Sequence, residues 1–347
     1  MKRILIYWST ISGYMAACWR ELALRSDVQL RVVAYRTGQD TSFSEQLMRG
    51  IDWIPLDEHS RQSRPVIEKT FRDFDPDVVV IAGWINKSYV HLPAAFADKR
   101  RLWIMGMDRP WQGGLRQWLA PVALRSYLRR IDLAWVPGER CRQFAKHLGF
   151  TDKRIHSGVY GVDVAGLQAI AARRRVEQPA RRFLFVGRYV KDKGIDLLVE
   201  GYRSYRESVA APWDLICCGK GVMDHVLRDQ PGVTDRGFIQ PRGVRDEFAQ
   251  ASALIMPSRF DPWPLTIVES CAAGVPVACS TACGSAVELV RDGYSGYVFP
   301  TGDSEAIAET MRLIHSSNTA ELGRRAEPFA AAYSAQEWAN RLLRMIS

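Results

Sequence analysis

The sequence predicts an α/β chain built as two successive doubly wound halves, each a parallel sheet flanked by helices. Three observations carry this. Short apolar runs alternate with amphipathic segments of helical length from one end to the other. The 347 residues exceed what one hydrophobic core normally spans. A polar, basic stretch, LQAIAARRRVEQPARR, interrupts the alternation near the middle. With 47% apolar and 24% charged residues, the composition excludes a disordered or fibrous chain.

In chain order, the first set of strands is read in RILIYW (3–8), QLRVVAY (29–35), DVVVIAG (77–83), RLWIMG (101–106) and LAWVP (133–137). The second set is FLFVG (183–187), WDLICCG (213–219), ALIMPS (253–258), VPVACS (275–280) and YVF (297–299). This gives a first domain over 1–163, a linker over 164–180, a second domain over 181–330 and a terminal helical segment over 331–347. In that last segment Ser334 stands three residues before Glu337, the spacing of a capping box. Each half is expected to open a crevice at the carboxyl ends of its strands, and two such halves facing each other would enclose one cleft.

The opening MKRILIYWSTISGYMAAC has the basic start and the small residues before Cys18 of a lipoprotein signal, but Ser9 and Thr10 cut its apolar run short. No stretch approaches the roughly 18–20 apolar residues of a membrane span. The seven cysteines show no CxxC pairing and are read as reduced core residues of a cytoplasmic protein. The six histidines lack ligand spacing, and no metal site is expected. DFDPD (73–77) resembles a metal-binding acidic motif, but it directly precedes an apolar strand, where a turn is the commoner reason for Asp and Pro.

The net charge of +9 is unevenly placed: residues 1–180 hold 28 Lys+Arg against 18 Asp+Glu, the rest 19 against 20. An anionic partner for the first half follows, whether nucleic acid, a lipid surface or a phosphorylated substrate. In RPWQGGLRQWLAPVALRSYLRRI (109–131) arginines interleave with aromatic and aliphatic residues. Such a segment suits an anionic membrane surface; a cationic helix face simply exposed to water is the equal alternative.

The most informative stretch is FDPWPLTIVESCAAGVPV (260–277). Pro264 near the start and Gly274 past the end bound a helix between two strands. Asp261 then falls in the loop at a strand's carboxyl end, and Glu269 in the helix's second turn. The helix start presents the amides of Leu265 and Thr266 and the positive end of the dipole, a ready phosphate site. In FVGRYVKDKG (185–194) a strand ends at Gly187, and Arg188 and Lys193 follow, cations suited to a diphosphate.

The blocks FVGRYVKDKGIDLLVE, LICCGKG, FDPWPLTIVESCAAGVPVACS and VELVRDGYSGYVFPTGD, in this order, resemble those of the retaining GT-B glycosyltransferases of family four. Weaker similarity runs through FDPDVVV and VYGVDV. The resemblance implies a GT-B fold, two Rossmann-like domains with parallel sheets facing across a cleft, and a terminal helix that crosses back to the first domain. It implies that Glu269 holds the ribose hydroxyls of a nucleotide sugar, that Asp261 faces the sugar, that Arg188 and Lys193 clasp the diphosphate and that Gly13 approaches the donor from the first domain. Gly187, Pro264, Leu265, Thr266 and Ile239 complete the expected donor site. Three departures stand out. Asp261 replaces the usual Glu, Pro264 replaces a common Gly, and Met107 stands where the family often has a His, leaving the neighbouring Asp108 as a further catalytic candidate.

The expected activity is transfer of a sugar to a saccharide or lipid-linked acceptor hydroxyl, in cell-surface polysaccharide, lipopolysaccharide or glycolipid assembly. It needs neither cofactor nor metal, and takes place in the cytoplasm with a peripheral seat at the inner face of the membrane. Two alternatives stay open: a nucleotide-sugar epimerase or phosphorylase of the same fold, and a basic nucleic-acid-binding protein without chemistry. The second lacks any recognisable nucleic-acid motif, so no nucleic-acid partner is expected.

Overall fold

The computed structural model describes residues 1–35, 45–97, 100–177 and 180–347. It divides into two compact units, one formed by Met1–Asp163 with Tyr333–Ser347, the other by Val164–Ala332. Each is a Rossmann-like sandwich around a wholly parallel sheet.

The first unit has seven strands: β1 (Lys2–Thr10), β2 (Val28–Tyr35), β3 (Trp53–Leu56), β4 (Val78–Ala82), β5 (Leu102–Gly106), β6 (Leu133–Val136) and β7 (Ile155–Ser157), in the order β3-β2-β1-β4-β5-β6-β7. Both sheet faces are covered, so strands read as unbroken apolar runs, and the two-residue period shows only in which core each residue enters. Ile4, Ile6, Val32, Val78, Val80 and Ile104 pack on one face with Trp19, Leu22, Trp338 and Leu342. Leu5, Tyr7, Val33, Val79, Ile81 and Met105 pack on the other with Ile67, Phe71, Phe74 and Phe144.

The terminal helix, Ala335–Ile346, belongs to this first unit. Ser334 caps it by accepting the Glu337 amide at 3.0 Å, as the sequence spacing indicates. Trp338 stacks on Trp135 with ring centres 4.9 Å apart and donates from Nε1 to the Val159 carbonyl at 2.8 Å.

The second unit holds β8 (Arg182–Val186), β9 (Asp214–Cys218), β10 (Val233–Asp235), β11 (Ala253–Met256), β12 (Val277–Ser280) and β13 (Gly296–Phe299), ordered β10-β9-β8-β11-β12-β13. Helices Ile195–Ser208 and Ser304–Ser316 bury one face, through Leu198, Tyr202, Ile307 and Met311. The residues read as a linker, 164–180, fall in this unit, where Ala165–Arg174 form a helix that packs beside Pro241–Gln250 and Leu265–Ala272. Its buried Leu167, Ile170 and Ala171 explain why a basic stretch becomes an element: the apolar positions recur at helical spacing beneath the arginines.

The three strands absent from the sequence reading, β3, β7 and β10, are all sheet edges of three or four residues. An edge strand needs no unbroken apolar run, and β3 even carries Pro55. All seven cysteines are buried and none is joined in a disulfide. Among the described residues no helix is long and apolar enough to cross a membrane.

Candidate functional site

In the second unit the chain leaves β8 for β9 and β10, then returns to β11 on the other side of β8. This reversal is the switch point of an open α/β sheet, where loops leaving two neighbouring strands run in opposite directions and vacate a crevice. Pairing of β8 with β11 covers only Phe183↔Ala253 and Leu184↔Leu254. The last residues of both strands lie beyond that paired stretch, and the two loops that follow carry the predicted site.

Gly187 and Arg188 follow β8, and Lys193 ends a single helical turn, Lys191–Lys193. The next residue, Gly194, adopts a left-handed conformation at φ +69°, and a Cβ there would stand 2.0 Å from the Pro257 carbonyl oxygen. Only glycine fits both demands. The Asp192 carbonyl accepts the amides of Arg259 at 2.7 Å and Phe260 at 3.1 Å, stitching the loop after β8 to the loop after β11. Arg259 also grips Asp196 through two bonds of 2.6 and 2.9 Å, and Lys191 reaches the same carboxylate at 2.6 Å. Burial acts to raise the Asp196 pKa, but the Arg259 and Lys191 bonds outweigh it and hold the carboxyl well below its ordinary value.

Asp261 is 7% exposed. Its backbone pairs with Cys283, and its carbonyl accepts the Gly284 amide at 2.9 Å. A Cβ on Gly284 would stand 1.8 Å from the Pro262 carbonyl oxygen, so this approach too requires glycine. The Asp261 carboxylate meets Lys193 Nζ at 2.5 Å. Burial lifts the Asp261 pKa above its ordinary value against the pull of Lys193, the Trp263 amide and Arg188.

Helix Leu265–Ala272 begins at Pro264, which caps it in extended conformation without a side-chain bond. The buried Ser285 hydroxyl fixes that cap by donating to the Pro264 carbonyl at 3.0 Å. Among the described residues no acceptor serves the Leu265 and Thr266 amides, so both are available at the positive end of the helix. Glu269, half-buried one turn further on, makes no side-chain hydrogen bond among the described residues. Burial pushes its carboxyl up to about 7, with the Arg245 cation working the other way. A buried carboxyl that has no hydrogen-bond partner among the described residues gains more from a ligand's hydroxyls than a solvated one would.

The structure therefore gathers Gly187, Arg188, Lys193, Asp261, Pro264, Leu265, Thr266 and Glu269 at one switch point. Ile239 lies apart on the segment between β10 and helix Pro241–Gln250, half-buried. Gly13 and Asp108 are in the first unit. Gly13 opens helix Gly13–Ala23 behind the Ser12 cap, just beyond β1. Asp108 follows β5, where its carboxylate accepts the Tyr160 hydroxyl at 2.8 Å and its carbonyl the Cys141 thiol at 3.1 Å.

The sequence reading missed two supports, the Arg259–Asp196 clamp and the Cys283–Ser285 loop that seats Asp261 and Pro264. The second had a signal in the Gly284–Ser285 pair between a strand and a short helix; the first had none. The acids of DFDPD are taken up locally: Asp73 pairs with Lys69, Asp75 with Arg101 and Arg3, and Asp77 accepts the Arg3 amide. They stand at the amino end of β4, away from the strand's carboxyl end. Among the described residues no cluster of three His, Cys, Asp or Glu could hold a metal ion.

Residues 180–317 match the family model described as Glycosyl transferases group 1. The chain is 28% identical over 162 residues to an uncharacterized glycosyltransferase, MJ1607, of Methanocaldococcus jannaschii, covering 43% of this chain and 41% of that protein. It is 29% identical over 219 residues to the glycogen synthase of Xanthomonas campestris pv. campestris strain 8004, covering 59% and 42% respectively. The chain thus spans less than half the length of these curated relatives. Among solved structures, Anabaena Alr3699/HepE in complex with UDP and glucose superimposes with a TM-score of 0.75 at 16% identity, covering 100% of this chain and 99% of that one. Residues 180–317 thereby carry the sequence signature of glycosyl transferases group 1, on a chain with the two Rossmann-like domains of the GT-B fold.

Proposed function

We propose that the chain is a retaining glycosyltransferase of family four that moves a sugar from a nucleotide-sugar donor to an acceptor hydroxyl without a divalent metal. The observation that carries this reading is the convergence of Lys193, Asp261, the Leu265 and Thr266 amides and the unpaired Glu269 at the switch point of the second sheet. The diphosphate would lie against the helix start and Lys193, with Arg188 beside it; Glu269 would accept the ribose hydroxyls and Asp261 would face the sugar. Gly187, Pro264 and Ile239 would shape the donor pocket. The UDP and glucose named for the HepE structure support a nucleotide-sugar donor, and the names of the two relatives support transfer over epimerisation or phosphorolysis.

In the proposed reaction the bond from the sugar's anomeric carbon to the distal phosphate oxygen breaks. The acceptor oxygen bonds to the same face, and the departing phosphate takes the hydroxyl proton. Negative charge grows on that phosphate while the carbon turns cationic, so donors already aimed at the phosphate lower the barrier without reorganising. The acceptor would be a saccharide or a lipid-linked precursor of the cell surface, glycosylated at the cytoplasmic side.

The test is release of nucleoside diphosphate from a panel of UDP, GDP, ADP and TDP sugars, with and without acceptor. Acceptor-dependent release supports transfer. Acceptor-independent turnover would assign the fold to another reaction, and a thermal shift with none of the four nucleotides would remove the donor site itself.

A further inference from the structure

Helix Leu115–Ala123 of the first unit is fastened by one face and bare on the other. Gln117 and Ala120 are its buried residues. The Gln117 side chain ties the preceding loop down, accepting the Gln112 amide and donating to the Pro110 carbonyl, each at 2.8 Å. At 100° per residue the opposite side carries Leu115, Trp118, Leu119 and Val122, a helical i, i+3, i+4, i+7 stripe. These are 74%, 57%, 56% and 76% exposed. The Trp118 ring leans edge-on against Trp111 and His147, with centres 5.3 and 4.8 Å away, so it is aimed and not loose.

Four neighbouring apolar side chains in water are costly, and what surrounds them indicates the partner. Residues 109–131 contain five arginines and no acidic residue. Arg109, Arg116, Arg125, Arg129 and Arg130 are all exposed. Apolar residues along one helical stripe, in a segment whose only charges are arginines with long aliphatic stems, match the boundary between acyl chains and anionic headgroups. A protein partner would be expected to bring acids that pair with particular arginines, whereas a segment of uniformly positive charge suits a diffuse anionic surface.

We propose that this helix is an interfacial anchor that inserts Leu115, Trp118, Leu119 and Val122 into a bilayer of anionic phospholipid while the arginines hold its headgroups. The anchor stands independently of the glycosyl-transfer reading, and its test needs no turnover.

The native cysteines are buried, so a Leu119→Cys variant offers one exposed thiol for an environment-sensitive fluorophore, and Val176→Cys on the second unit serves as control. With phosphatidylcholine vesicles containing about a third phosphatidylglycerol, the Leu119 probe should shift to the blue and the Val176 probe should not. Pure phosphatidylcholine should give no shift, and high salt should reverse the response. In co-sedimentation, L115S/L119S/V122S and R116Q/R125Q/R129Q should each lower the bound fraction roughly tenfold or more while keeping the wild-type melting temperature, because every altered side chain is exposed. Wild-type protein that stays in solution with anionic vesicles, or a serine variant that binds as well, overturns the anchor. A concentration-dependent dimer in sedimentation velocity that the serine variant abolishes would assign the face to a second copy and equally overturn it.

Discussion

Lys193 Nζ lies 2.5 Å from the Asp261 carboxylate, a pair 68 residues apart in sequence brought together by the loops that leave β8 and β11. The pair is largely shielded from solvent, with side chains 17% and 9% exposed, and it leaves the helix amides at Leu265 and Thr266 unengaged.

Replacing Lys193 or Glu269 with alanine should each lower turnover about a hundredfold or more, the usual cost of removing one preorganised donor or binding group from a charged transition state. Lys193→Ala should act mainly on kcat and Glu269→Ala should also weaken nucleotide binding. Steady-state kinetics and calorimetry separate the two, and near wild-type rates in both variants would defeat the assignment.

Glu269 gives the site a pH signature. Its folded carboxyl sits at about 7 against an ordinary 4.5, so the folded chain binds the extra proton between those values and unfolding releases it. Stability must therefore fall as pH rises through this window, by at most about 1.4 kcal/mol per unit. Melting temperatures of wild type and Glu269→Gln should diverge between these limits, the wild type losing ground toward pH 7. A parallel pair of curves would mean that the carboxyl is not held in its neutral form.

Gly194→Ala should destabilise the second unit by about 1–3 kcal/mol, from the left-handed backbone alone. The clash with the Pro257 carbonyl adds to that, and relief of the clash displaces Lys193. A urea titration reads the first effect, and lost transfer in protein that remains folded reads the second.

Arg259→Ala should spare the fold but loosen the loop that carries Lys193, because Asp196 loses the two-bond grip that ties it to the loop after β11. Turnover is expected to drop about tenfold, since small misplacements of positioned groups have costs of this order or larger. Arg259→Lys should rescue only in part, as an ammonium cannot reproduce the two-bond grip on Asp196. Full activity in Arg259→Ala would show that the loop holds its shape without the clamp.

Transfer should continue after exhaustive treatment with EDTA. A loss restored by Mg²⁺ or Mn²⁺ would replace the Lys193 and helix-start scheme with a metal-assisted one.

What could be read from the sequence follows from what each feature requires. Central strands such as β1 and β8 must be apolar on both faces, and that leaves an uninterrupted run. The edge strands β3, β7 and β10 face no such demand and left none. The candidate site was legible wherever its residues coincide with chain punctuation: Gly187 after a strand, Gly194 before a helix, Pro264 and Gly274 around one. Asp196 and Arg259 are separated by 63 residues and meet only because β8 and β11 are neighbours, which no local pattern encodes. The basic segment 164–180 misled because its arginines dominate its composition, while the few positions that bury Leu167, Ile170 and Ala171 decide its structure.

The place of Ala335–Ile346 in the first unit bears on how the chain is made. Trp338 and Leu342 complete a core begun by Ile4 and Ile6, so during synthesis the first half emerges early yet waits, with one sheet face covered only in part by Trp19 and Leu22, until residues 335–346 leave the ribosome. The second half, contiguous in sequence, can finish before it. Birth order and maturation order are reversed, and a nascent chain halted anywhere before residue 338 would expose the surface that chaperones recognise.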